Sequence, residues 1–162
     1  MANYEFESST PFTDIYKSFL SKITDDMYME LTEEETENML NELFLSALPH
    51  FEFPRFDIYA FSDEMGGYEI KLSLEEINII ATYMVSEWIG QQLASVENTR
   101  MKYSGSDFKF TSQANHIAKL QSLKANYEQK GFHLQRLYKR RKVDKNGIMR
   151  STFGSIMDSE EA

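Results

Sequence analysis

The chain of 162 residues has no cysteine, three prolines and seven glycines. Without cysteine there is no disulfide framework, no thiolate ligand for zinc and no thiol nucleophile. The lack fits a reducing compartment. No apolar run reaches the roughly 18 residues that a membrane-spanning helix needs. Residues 1–10 show neither a basic n-region nor an apolar h-region, so no secretory leader is expected. The glycines form neither G-x-x-x-x-G-K nor G-x-G-x-x-G, which removes the common phosphate cradles. Gly66-Gly67 precedes an alternating run and reads as a hairpin turn.

Catalytic and metal constellations are lacking as well. His50, His116 and His133 never stand at i, i+4 from one another, and H-E-x-x-H does not occur. On one helix, His116 and His133 would lie more than about 20 Å apart at about 1.5 Å per residue. All three read as surface or interface residues. Asp144-Lys145-Asn146-Gly147 places its glycine too early for a calcium loop. There is no G-x-S-x-G elbow. The acid pairs Asp25-Asp26, Glu33 to Glu35 and Glu75-Glu76 fall near expected helix starts, where carboxylates act as caps. These patterns lead to the expectation of no enzyme, no cofactor and no metal.

What is present is an ordinary supply of core. Twelve Phe, nine Tyr, nine Met and one Trp accompany 41% apolar and 27% charged residues. A domain of about 150 residues buries roughly 70% of its unfolded surface, so one core suffices. The net charge of −9 is unevenly spread. Residues 1–98 carry 20 acidic and 4 basic side chains, net −16, and residues 99–162 carry 6 acidic and 13 basic, net +7. The acidic pole is Glu33-Glu34-Glu35 with Glu37 and Glu42. The basic pole is Lys139-Arg140-Arg141-Lys142 with Lys145. Such asymmetry points to faces with different partners.

Periodicity supplies the elements. Residues 1–9 are polar and read as an N-terminal arm. Thr10-Pro11 reads as N-cap and first helical position of a short helix through Ile15, Phe19, Leu20 and Ile23. Residues 24–31 read as a turn or short helix. Thr32 and Glu35 form an S/T-x-x-E capping box ahead of Met39, Leu40, Leu43, Phe44, Ala47 and Leu48, with Pro49 as the stop. Residues 55–72 alternate on both sides of a glycine-containing loop and predict a β-hairpin. Ser73 and Glu76 form a second capping box. The helix behind it, with Ile77, Ile80, Ala81, Met84, Val85, Trp88, Ile89 and Leu93, has the widest apolar stripe and should be central, ending near Asn98. A loop around Ser104-Gly105-Ser106 follows, with a brief extended piece at Phe108 and Phe110. Ser112 reads as N-cap of a last helix carrying Ile117, Leu120, Leu123 and Tyr127, continuing through Gly131 to about Lys142. Residues 143–162 read as a C-terminal tail.

The expected fold is mainly α. It is a small bundle of three to four helices with one β-hairpin, extended arms at 1–9 and 143–162, and a body at 10–142. Leu43, Phe44, Ile80, Met84, Trp88 and Leu120 are its expected core.

Several segments together resemble the head–tail connector (adaptor or head-completion) proteins of long-tailed bacteriophages. They are LNELFLSALPHF (40–51), RFDIYAF (55–61), LSLEEINIIATYMVSEWIGQQL (72–93), SDFKFTSQANHIAKLQSLKANYEQ (106–129) and RLYKRRK (136–142). The likeness is one of helix order and texture over residues 10–145. It implies a non-enzymatic homo-oligomeric ring, typically of twelve copies, in the virion neck after synthesis in host cytoplasm. One side would contact the portal protein and the other the next neck or tail protein. DNA would pass without specific binding, and no membrane would be involved. Lys139, Arg140, Arg141, Lys142 and Lys145 would fit the portal contact, and the hairpin would fit contacts between neighbours or along the channel. An acidic inner wall would let a duplex slide by like-charge repulsion. The long N-terminal arm and the tail past 145 depart from the compact members. A tail-completion protein, or a nucleic-acid-binding regulatory module acting through 136–145, are the alternatives.

Overall fold

The segment from Ser73 to Ile89 decides the architecture. In the computed structural model, which describes residues 9–23, 31–102, 110–143 and 148–151, it opens helix α3. Helices α1 (Phe12–Leu20), α2 (Glu33–Ala47), α3 (Leu74–Lys102) and α4 (Phe110–Arg140) make the described part mainly helical. Two small sheets complete it. The second capping box forms: Ser73 Oγ accepts the Glu76 N–H at 3.2 Å, and Glu76 Oε2 accepts the Ser73 N–H at 2.7 Å. Residues 79–86 of α3 are then buried without a break, on every side of the helix. A helix apolar all round has to be covered all round. Helices α1, α2 and α4 each pack on α3, with α4 making the most extensive contact.

Helix α2 shows the first capping box. Thr32 Oγ1 accepts the Glu35 N–H at 3.2 Å, and Glu35 Oε2 accepts the Thr32 N–H at 2.9 Å. The Thr32 backbone bond, then its hydroxyl, hold the Glu35 carboxyl below the usual range. Leu40, Leu43, Phe44 and Ala47 are the buried stripe. The helix ends before Pro49, in a 3-10 turn at Leu48–His50.

The β structure is smaller and differently joined than its sequence suggests. Strands β1 (Thr10–Pro11), β2 (Phe61–Ser62) and β3 (Gly67–Tyr68) form an antiparallel sheet in the order β1-β3-β2. The hairpin therefore holds two residues per strand, Phe61 opposite Tyr68 and Ser62 opposite Gly67, and residues 55–60 are irregular. Thr10 is not a helix cap. Its hydroxyl donates to Ile70 O at 3.0 Å and accepts the Leu72 N–H at 2.7 Å, which draws Thr10-Pro11 into the sheet and leaves Pro11 as the N-cap. Gly66 turns at φ 64°, and a Cβ on Gly67 would stand 2.3 Å from Thr10 O. Both glycines are thus required by the turn and the third strand. Phe12, Phe44 and Phe61 meet with ring centroids 5.0 to 5.7 Å apart and fasten this sheet to α1 and α2.

Other boundaries move. Helix α3 runs to Lys102, past Asn98, and α4 starts at Phe110, so Phe110 is helical and Ser112 is not its cap. Helix α4 stops at Arg140. Strand β4 (Arg141–Val143) follows and pairs antiparallel with β5 (Met149–Ser151), so the first part of the expected tail belongs to a sheet. Residues 1–8, most of 24–31, the loop at 104–106, Lys145 and residues 152–162 lie outside the described residues. Of the expected core, Leu43, Phe44, Ile80 and Met84 are fully buried. Trp88 and Leu120 are only partly buried. Both line an open apolar cleft with Lys22, Ile23, Leu123 and Tyr127, where no further element covers them among the described residues. Burial, then the charge of Lys130, pulls the Lys22 ammonium below its ordinary range.

Gly131 shows why a helix interior carries glycine. It is buried in unbroken α4, and a Cβ there would meet the Tyr83 ring at 2.7 Å. That ring cannot swing away freely, because its hydroxyl accepts from Gln135 Nε2 at 2.7 Å and His50 stacks on it at 5.3 Å. Gly131→Ala should therefore destabilise by about 1–2 kcal/mol, strain outweighing the helix-propensity gain of about 1 kcal/mol. Urea denaturation measures it, and the same change in a Tyr83→Ala background should stabilise. For Trp88→Ala, urea denaturation should give about 1–2 kcal/mol, against about 3–5 kcal/mol for Phe44→Ala.

Candidate functional site

The last three turns of α4 carry two stripes of opposite character. Gly131, Gln135 and Tyr138 recur at i, i+4, i+7 and face inward, all buried. Phe132, Arg136 and Lys139 have the same spacing, one residue later, and are exposed. The inward stripe positions a loop, and that loop completes the outward face.

Gln135 is 1% exposed and uses both ends of its amide. Its Oε1 accepts the Glu52 N–H at 2.9 Å, and its Nε2 donates to Tyr83 Oη at 2.7 Å and His50 O at 3.3 Å. Tyr138 donates its hydroxyl proton to Glu76 Oε1 and accepts the Arg55 N–H at 3.2 Å. The Arg55 guanidinium lies 4.1 Å over the Tyr138 ring and donates to the carbonyls of Tyr138 and Arg141. It thereby satisfies carbonyls at the helix end, where a cation is also favoured by the dipole. Phe51 packs edge-on against Tyr138 at 5.4 Å.

With residues 50–55 pinned in this way, Phe53 stays at the surface, 41% exposed, with Lys139 Nζ 3.9 Å over its ring. Arg136 stands 5.6 Å over Phe132, itself 47% exposed. Phe53, Phe132, Arg136, Lys139, Arg140 and Glu52 line an open cleft of about 470 Å³. Three cations and two aromatic faces against one carboxylate make a surface for an anionic, partly apolar partner.

The basic run is thus split. Lys139 and Arg140 line the cleft. Arg141 Nη1 pairs with Glu75 Oε1 at 3.0 Å, back on α3. Lys142 is exposed on β4, directly opposite Arg150 on β5. Lys145 lies outside the described residues. The sequence does not single out Phe53, Arg55 or Phe132, and Arg136 enters there only as the first residue of the basic segment 136–145. The i, i+4, i+7 spacing could have found Phe132 and Arg136, whereas nothing local marks Phe53.

The acidic pole lies elsewhere. Glu33, Glu34, Glu37 and Glu42 are exposed on α2. Of the histidines, His50 Nε2 lies 3.0 Å from Glu87 Oε1, and His116 and His133 are exposed. Among the described residues no three His, Asp or Glu could hold a metal ion together. No family model, curated protein or solved structure matches the chain.

The large shifts in proton affinity belong to interior tyrosines. Burial pushes Tyr83 up to about 12, with the charge of Glu52 adding, and burial likewise takes Tyr16 to about 12. Burial, then the neighbouring Glu76 carboxylate, drives Tyr138 well above the ordinary phenol range. These tyrosines ionise near 10 in the unfolded chain, so between about 10 and 12 the folded state binds more protons. The tyrosine contribution to stability should accordingly be constant below pH 10 and be lost as pH rises through 12. Thermal melts followed by circular dichroism test this. Tyr138→Phe should cost about 1–3 kcal/mol at neutral pH, because Glu76 and the Arg55 N–H lose a buried partner. It should also make the alkaline fall shallower.

Proposed function

We propose that the chain is a non-enzymatic structural component of a phage neck. It forms a ring that joins the portal to the tail or next neck protein and lets DNA pass. The observation that carries this reading is the separation of charge onto different elements of one small bundle. Helix α2 presents carboxylates, and the end of α4 with its following hairpin presents cations. Lys142 and Arg150 oppose each other across β4 and β5. The portal-facing side is therefore assigned to Lys139, Arg140 and Lys142 with the hairpin. The −16 of residues 1–98 supplies the acidic wall past which a duplex slides.

Exposed aromatics beside cations also suit stacking on single-stranded nucleic acid. The net charge of −9 and Glu52 in the cleft weigh against that reading. A gel-shift titration at low salt, where phosphate contacts are strongest, separates the two. No shift is expected.

Reversing Lys139, Arg140 and Lys142 to Glu, and leaving Arg141 on Glu75, should keep the circular dichroism spectrum and the melting temperature within a few degrees, because exposed charges add little stability. The variant should no longer co-purify with the portal protein, and antibody-labelled particles should show wild-type protein at the neck by electron microscopy. Undiminished portal binding by the variant would overturn the assignment.

A further inference from the structure

Helix α2 has an outward face that its own packing leaves unused. Glu34, Asn38, Glu42 and Leu45 recur at i, i+4, i+8, i+11, opposite the stripe of Leu40, Leu43, Phe44 and Ala47, and all four are exposed. Leu45 is 45% exposed at the C-terminal end of that surface, just past Glu42. The cleft at the end of α4 has the complementary composition. Phe53 and Phe132 offer apolar faces, and Arg136, Lys139 and Arg140 outnumber the single carboxylate of Glu52. The two surfaces share no residue. Both α2 and α4 pack on α3, and no extensive contact joins α2 to α4.

We propose that α2 of one copy seats in the Phe53–Phe132 cleft of the next copy. Leu45 fills the space between the two rings and Glu42 faces Arg136, which leaves Lys139 and Arg140 to the portal contact proposed above. The chain itself supplies both halves, which argues for a second copy as the occupant. Cleft against cleft, or α2 against α2, would set like charges together, and such pairings cost affinity. The contact is therefore head-to-tail. It leaves one cleft and one α2 free on every pair, so it propagates, and it closes into a ring where the rotation permits. The proposal deepens the ring reading and rests on it for closure.

The absence of cysteine makes the test clean. Full-length Leu45→Cys and Phe132→Cys chains, each with a single thiol, are mixed and mildly oxidised. A disulfide forms only where Cα atoms come within about 7 Å. The expected product is the mixed dimer, roughly tenfold above either homodimer, a preference that corresponds to about 1.4 kcal/mol. The preference should shrink in 1 M salt, where the Debye length is about 3 Å. Glu42→Arg and Arg136→Glu should each abolish self-association, measured by analytical ultracentrifugation, and the two together in one chain should restore it. Homodimers equal to or above the mixed dimer, or no rescue, overturn the contact. Native mass spectrometry of the wild-type chain separates the two readings. Closed rings without the mixed disulfide overturn this contact and keep the ring. The mixed disulfide with open chains alone keeps the contact and overturns the ring.

Discussion

The close approach of α3 and α4 at Gly131 is the constraint on which the rest of the described structure depends. The Tyr83 ring lies where a Cβ of residue 131 would stand. Only with that space free does the Tyr83 hydroxyl reach Gln135, one turn further along α4. Gln135 then holds the backbone at His50 and Glu52, and Tyr138, another turn on, holds Arg55. The loop that carries Phe53 is thus fixed by three inward residues of one helix. Glycine in a helix interior costs about 1 kcal/mol relative to Ala. The gain is a helix contact tight enough to place a polar network inside it.

That network is unusual in how much rests on Glu76. One carboxylate completes the cap of α3 through Ser73 and receives the Tyr138 hydroxyl proton from α4. It is 9% exposed, so each oxygen has to be satisfied by protein. Fully partnered buried polar groups specify one arrangement more sharply than apolar packing does. Sliding α4 by one turn would strand Glu76, Tyr138 and Gln135 at once. The register of α4, and with it the direction of Phe132 and Arg136, follows from that penalty.

What the sequence discloses tracks how local each signal is. Both capping boxes are readable because all their partners lie within four residues, and both form. Buried stripes are readable as faces, which places Leu43, Phe44, Ile80 and Met84 correctly. Periodicity does not say how far a neighbouring element extends, and Trp88 and Leu120 lie where the covering elements run out. Two-residue strands are too short to alternate. Thr10 joins the sheet through Ile70 and Leu72, some sixty residues away. The basic run looks continuous from Lys139 to Lys142, but α4 becomes β4 after Arg140, and this sends Arg141 back to Glu75. Phe53 reaches the cleft only through contacts of its neighbours with Gln135 and Tyr138, which no local pattern contains.

The charges differ in how much the fold itself explains them. Glu35 is consumed by a cap, and Glu33 and Glu34 gain from the N-terminal dipole of α2. Lys139 and Arg140 gain from the C-terminal dipole of α4 in the same way. Glu42 has no such support. It lies in the C-terminal half of α2, beyond reach of the favourable end, and points away from the core beside the exposed Leu45. Arg136 likewise stands a turn before the end of its helix and beside an exposed Phe132. An acid with an aliphatic neighbour on one helix, and a cation with an aromatic neighbour on another, are the surface features that stability within one copy accounts for least. They are opposite in charge and alike in having an unburied apolar partner, which is what a contact between two copies would use.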